Sequence, residues 1–70
     1  MEEKITAWIA RDELGGNIVL HLHKPNPRLK SQGMWHSLTV PRVLGKDIFP
    51  QVNWEDDEPT EVELTIKICE

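Results

Sequence analysis

The sequence predicts a mostly β protein: a small antiparallel sheet of about four strands, one face covered by an irregular proline-containing segment. Three observations predict it. Apolar and polar residues alternate in short runs of about seven residues, the period of a half-buried strand. Pro41, Gly45, Pro50 and Pro59 interrupt the stretch in which a long helix would have to lie. A Gly15-Gly16 pair stands between two alternating runs, as in a hairpin.

The first run is Lys4 to Ala10, with Ile5, Ala7 and Ile9 on one side and Thr6, Trp8 and Ala10 on the other. Arg11 to Asn17 reads as a turn, because glycine adopts positive φ freely and Asp12 and Asn17 suit turn ends. Ile18 to His23 alternates again, and the two runs form a hairpin. From Lys24 to Gly33 the pattern stops. Pro25 and Pro27 lack amide hydrogens, so this segment reads as a mobile basic loop. Met34 to Val40 reads as a third strand, with Met34, His36, Leu38 and Val40 opposite Trp35, Ser37 and Thr39. Residues 41 to 60 are apolar in places but hold no period. They read as an irregular cover laying Ile48, Phe49 and Trp54 over the sheet. Glu61 to Ile68 has the cleanest pattern, with Val62, Leu64, Ile66 and Ile68 on one face and Glu61, Glu63, Thr65 and Lys67 on the other. One face of this strand should meet solvent.

With 70 residues the chain is a single domain, residues 1–70, with a small core. Three Trp and one Phe supply its large contacts, and a homodimer would add buried apolar area. No apolar run reaches the roughly 18 residues of a membrane span. The acidic opening, Met1-Glu2-Glu3-Lys4, does not resemble a secretory leader, so the expected location is cytoplasmic. The single cysteine, Cys69, excludes an internal disulfide and an all-thiolate zinc site.

Twelve acids face eight bases, a net charge of −4, which disfavours binding to nucleic-acid phosphates. The charge is segregated. Lys24, Arg28 and Lys30 make one end basic, and Glu55, Asp56, Asp57 and Glu58 make another acidic. Such polarity steers charged protein partners.

Several strings together resemble a group of very short uncharacterised proteins of gut Bacteroides-type bacteria and their phages or prophages. They are Trp8-Ile9-Ala10-Arg11-Asp12, the glycine pair, Lys24-Pro25, and Phe49-Pro50-x-Val52-x-Trp54-Glu55-Asp56 with Pro59 and Glu61-Val62-Glu63-Leu64. The resemblance covers both ends and is weak from Asn26 to Lys46. It implies a small accessory protein, phage-derived or prophage-borne, and assigns no catalytic residue. Where the group has an aromatic strand after the glycines, this chain has Leu20-His21-Leu22-His23.

No residues assemble into a recognisable reaction motif, so the expectation is no enzyme, no cofactor and no metal. His21 and His23 would share a strand face, and His36 could add a third ligand, but no HxxH, HExxH or cysteine pair accompanies them. The four consecutive acids lack the glycine-containing loop of a calcium site, and neighbouring carboxylates point apart. Gly15-Gly16 lacks the lysine and helix of a phosphate loop. Trp8, Trp35 and Trp54 could stack on bases, although a small core also needs its aromatics. Trp8, opposite Ile5 and Ile9, is the most exposed candidate. Tryptophan and arginine are enriched at interface hot spots. The expected partner site is therefore Trp8, Arg11, Glu55, Asp56, Asp57 and Glu58, and the expected function is binding a protein partner as an accessory or modulator. The alternative is a nucleic-acid-associated protein or a nucleic-acid mimic.

Overall fold

The computed structural model describes residues 2–69. Four strands form one antiparallel sheet: β1 (Glu2–Arg11), β2 (Ile18–His21), β3 (Arg42–Gly45) and β4 (Thr60–Lys67). Their spatial order is β3-β2-β1-β4, so β1 is central and β3 and β4 are the edges. The only helical element among the described residues is a single 3-10 turn at Pro27–Leu29, capped by the Asn26 side chain, which accepts from the Arg28 amide.

The hairpin forms where the sequence places it. Trp8 pairs with His21 and Arg11 with Ile18, and the turn closes with an Asp12 N–H bond to the Asn17 carbonyl. Gly15 and Gly16 both have positive φ, the conformation that the turn demands and that other residues resist. β4 also matches its alternation, pairing along β1 from Ile9–Thr60 to Glu2–Lys67.

Two expectations are corrected. Met34–Val40 is not a strand: Met34 makes only an isolated bridge to Ser31, and Leu38 and Val40 are 92% and 93% exposed. The third strand is instead Arg42–Gly45, joined to β2 across a bulge between Ile18 and Val19. The physical reason lies in Trp35 and Ser37. Trp35 is buried and Ser37 bonds to buried His21, so this segment lies against the sheet and leaves its apolar alternate set in solvent. Trp35 carries the largest apolar surface of the segment, and its burial together with the Ser37–His21 bond sets which side faces inward. The loop after β2 is also fastened: Pro25 is buried and Lys30 is tied to the Trp54 and Asp56 carbonyls.

The core sits at the turn end of the hairpin. Ile9, Ile18 and Val52 are buried together, with Leu20 and Val62 packed against them. On the opposite face of the same strands, Ala10 and Val19 are buried beside His21. β1 is therefore covered on both faces from Ala7 to Ala10. Complete burial of a side chain such as Ile18 contributes about 2–3 kcal/mol. Phe49, expected to lie over the sheet, is 42% exposed and has positive φ. Its carbonyl, not its ring, holds this region in place.

The other end of the sheet is different. β2 reaches only as far as Trp8, so from Glu2 to Ala7 the chain pairs with β4 alone. This two-stranded ribbon accounts for an elongated molecule of 41 × 24 × 18 Å.

Candidate functional site

Alternation along β1 decides how the expected partner residues are placed. Trp8 and Arg11 are three residues apart, an odd spacing that puts them on opposite faces. Trp8 is half-buried, between His21 on β2 and Glu61 on β4. Arg11 faces the side of Val52. Its Nε donates to the Val52 carbonyl at 2.7 Å, and Nη1 donates to the carbonyls of Gly16 at 2.6 Å and Lys46 at 3.0 Å. Nη2 donates to the carbonyls of Ile48 and Phe49 at 3.0 and 3.1 Å. The guanidinium thus gathers carbonyls of residues 46–52 onto β1 and has little donor capacity left for a partner. Trp8 and Arg11 do not form one patch.

The acidic run forms a corner before β4. Asp56 accepts from the Asn53 amide at 3.0 Å through Oδ2, which fixes the turn. Glu58 pairs with Lys24 at 3.5 Å, both side chains being well exposed. Glu55 and Asp57 are exposed. Of the four acids, two meet partners within the chain and two face solvent.

Behind this corner lies an arrangement that the sequence did not reveal. The Lys30 ammonium sits 4.1 Å from the Trp35 ring centroid and 4.7 Å from that of Trp54. The rings meet edge to face, with centroids 6.5 Å apart. Lys30 Nζ also donates to the Trp54 and Asp56 carbonyls at 2.6 and 2.9 Å. A cation held by two π faces and two carbonyls joins the basic loop to the acidic corner. The separations in sequence, 24 and 26 residues, left no local signal of it.

The histidines do not converge as a metal set. His21 is fully buried and His23 exposed, and no group of three or more His, Cys, Asp or Glu side chains among the described residues is placed to hold a metal. His21 Nδ1 lies 2.8 Å from Ser37 Oγ. Beside Ser37 opens a cleft of about 300 Å³, lined by Lys24, Asn26, Leu29, His36, Ser37 and Leu38. This pair has the contact distance of a nucleophile and its base, but it lacks an orienting acid: the buried His21 Nε2 has no hydrogen-bond partner. Asp12, the nearby carboxylate, accepts the Trp35 amide at 3.0 Å through Oδ1. Burial lowers the His21 pKa, Asp12 opposes that shift, and His36 adds to it. The ring is thus a neutral packing group with a hydroxyl partner.

The ribbon presents the largest chemical asymmetry. On one face, Ile5 lies across from Leu64 and Glu3 from Ile66. On the other, Lys4 is 3.9 Å from Glu63, and Lys67 is 3.8 Å from Glu2. The alternation of β4 implied that its apolar side would be buried. Val62 and Leu64 are half-covered, whereas Ile66 is 51% exposed and Ile68, just beyond the strand, 64%. Along β1 the buried residues end at Ala7, and Ile5 beyond it is exposed.

No helix among the described residues is long and apolar enough to cross a membrane. Compared with known protein families, curated proteins and solved structures, the chain matches none.

Proposed function

We propose that this protein is a non-enzymatic protein-binding module, a small cytoplasmic accessory or modulator of the phage- or prophage-borne kind that the sequence resemblance implies. The observation that carries the reading is the apolar face of the β1/β4 ribbon, where Ile5 and Ile66 are exposed beside half-covered Leu64 on a two-stranded support. Exposed apolar area rimmed by charge favours association with another protein. Glu3 stands on this face across from Ile66 and the acidic corner lies at the other end of β4, so a partner with basic residues suits it.

The nucleic-acid reading receives less support. Lys30 is held between Trp35 and Trp54, and Lys24 is paired with Glu58, so two of the three clustered cations are engaged. Trp35 is buried and offers no face for a base.

The test is capture from host lysate with the wild type, an Ile5→Ser/Ile66→Asp variant, and a variant with Glu55 and Asp57 reversed to lysine. The expected result is a saturable, stoichiometric partner that the ribbon variant loses. Identical capture by the wild type and the folded ribbon variant would exclude the ribbon as the recognition surface. A salt-sensitive shift of DNA or RNA with no protein capture would favour the alternative.

A further inference from the structure

The two edges of the sheet are unlike. β3 is four residues long, follows Pro41, contains Gly45 with positive φ, and meets its neighbour through a bulge. Short length, proline and bulges all discourage another strand from adding to an edge. β4 shares only a preceding proline, Pro59, which lies outside the stretch 61–67, and has neither a short span nor a bulge. It is eight residues long, without proline or glycine, and its register with β1 is unbroken. Its outer side carries no backbone hydrogen bond among the described residues. A strand of this kind is a template for another strand.

The sequence of β4 also says which strand suits it. We infer that the outer edge of β4 pairs with β4 of a second copy, antiparallel about a twofold axis through Leu64, to form a continuous eight-stranded sheet. The inference rests on the protein-binding reading of the ribbon but concerns its β4 edge, where the occupant is a second copy, and it leaves the apolar face free. A twofold axis normal to the sheet keeps the same face upward in both copies, so only residues of equal parity can stand opposite one another. With Leu64 opposite Leu64, Val62 meets Ile66, Glu63 meets Thr65 and Glu61 meets Lys67, each contact occurring twice. Apolar residues meet apolar, and the only directly opposed charges have opposite sign. Cross-strand pairs of these types are each favourable.

Competing registers are poorer. Centring on Glu63 sets two carboxylates face to face, which is repulsive. Centring on Thr65 keeps Glu63 opposite Lys67 but pairs only the five strand residues 63–67, against seven, 61–67, for the Leu64 register. The open edge of β1 is a weaker site. Centring it on Lys4 opposes two ammonium groups, and centring it on Ile5 pairs only residues 3–7 before reaching Trp8, which is already bonded to β2. In the Leu64 register, the half-covered Val62 and Leu64 and the exposed Ile66 form one apolar strip across both copies.

Sedimentation equilibrium under reducing conditions, which keep exposed Cys69 from cross-linking, should give twice the 8.1 kDa chain mass. Glu61→Lys or Lys67→Glu alone should weaken the dimer about tenfold, because each places like charges opposite one another twice. The double exchange should restore it. Circular dichroism of each variant establishes folding independently of association. In a Cys69→Ser background, Leu64→Cys should form an intermolecular disulfide on oxidation, since directly opposed Cα atoms are about 5 Å apart. Thr65→Cys should not, because its counterpart is two residues out of register, about 8 Å away. A single-chain mass at the highest attainable concentration overturns the inference, as does cross-linking through Thr65→Cys but not Leu64→Cys. A monomer that still captures a partner through Ile5 and Ile66 overturns self-pairing and leaves the protein-binding reading standing. A monomer with no capture ends both.

Discussion

Replacing Arg11 with methionine keeps most of the aliphatic stem and removes every donor that fastens residues 46–52 to β1. Five carbonyls lose their partner: Gly16, Lys46, Ile48, Phe49 and Val52. Those of Gly16 and Val52 take part in part-buried bonds, whereas the other three bonds are exposed, where water substitutes at little cost. Counting only the part-buried bonds, at about 1.5 kcal/mol each for a charged donor, gives a loss of about 3 kcal/mol. A chain of this length has a total stability of about 4–10 kcal/mol, so the variant approaches the unfolding threshold. The corresponding fall in Tm is about 12–24 °C. Phe49 also loses the bond that helps hold its positive-φ backbone, so the segment around Val52 should loosen before the hairpin does. Urea titration followed by tryptophan fluorescence measures the loss. Arg11→Lys should fall between the wild type and Arg11→Met, because an ammonium group reaches fewer of the carbonyls. A loss below about 1 kcal/mol for Arg11→Met would refute the view that this side chain organises residues 46–52.

Two further predictions concern the Lys30 contact and the buried ring of His21. Lys30→Met should cost about 2–3 kcal/mol by removing a cation from two aromatic faces and two carbonyls, and it should alter tryptophan emission; an unchanged spectrum and melt would contradict the contact. Stability should fall as the pH drops below about 6.5, because the lowered pKa of His21 means that the folded protein binds its proton less readily than the unfolded chain. The effect is absent well above that pH, where both states are neutral, and grows as the pH falls towards the folded-state pKa. Acid titration of His21→Gln beside the wild type isolates it: the variant should lose this part of the slope, and parallel curves would assign acid sensitivity elsewhere.

The hairpin and β4 were legible because their evidence is local. Gly15-Gly16 marks the turn, and Glu61 to Lys67 alternates over its whole length. The third strand was misread because alternation reports two unlike faces without saying which face is inside, or whether the segment pairs at an edge. Met34 to Val40 alternates well, yet buries Trp35 and bonds Ser37 to His21, two requirements set by residues far away in sequence. Arg42 to Gly45 is too short and exposed to leave a pattern. The partner-site residues divide in the same way. The solvent-facing Glu55 and Asp57 follow from local charge, whereas the five-carbonyl role of Arg11 depends on residues up to 41 positions away. The exposed end of the ribbon was hidden for a related reason: the β4 pattern identifies an apolar face, but how much of it is packed depends on distant residues such as Val52, which joins Ile9 in the core against which Val62 packs.

The central position of β1 also has a kinetic consequence. Its contacts with β2 close a short loop, but those with β4 join residues from opposite ends of the described chain, as far apart as Glu2 and Lys67. Closing the short loop costs less entropy, so the hairpin is the natural nucleus and the zippering of β4 the late, slow event. Between the two events, Ile5, Ala7 and Ile9 belong to a strand open along one whole side. A refolding chain therefore passes through a period in which β4 from any neighbouring molecule can take the place of its own. Refolding yield should thus depend on protein concentration, and a strand exchanged between molecules is the error this topology invites.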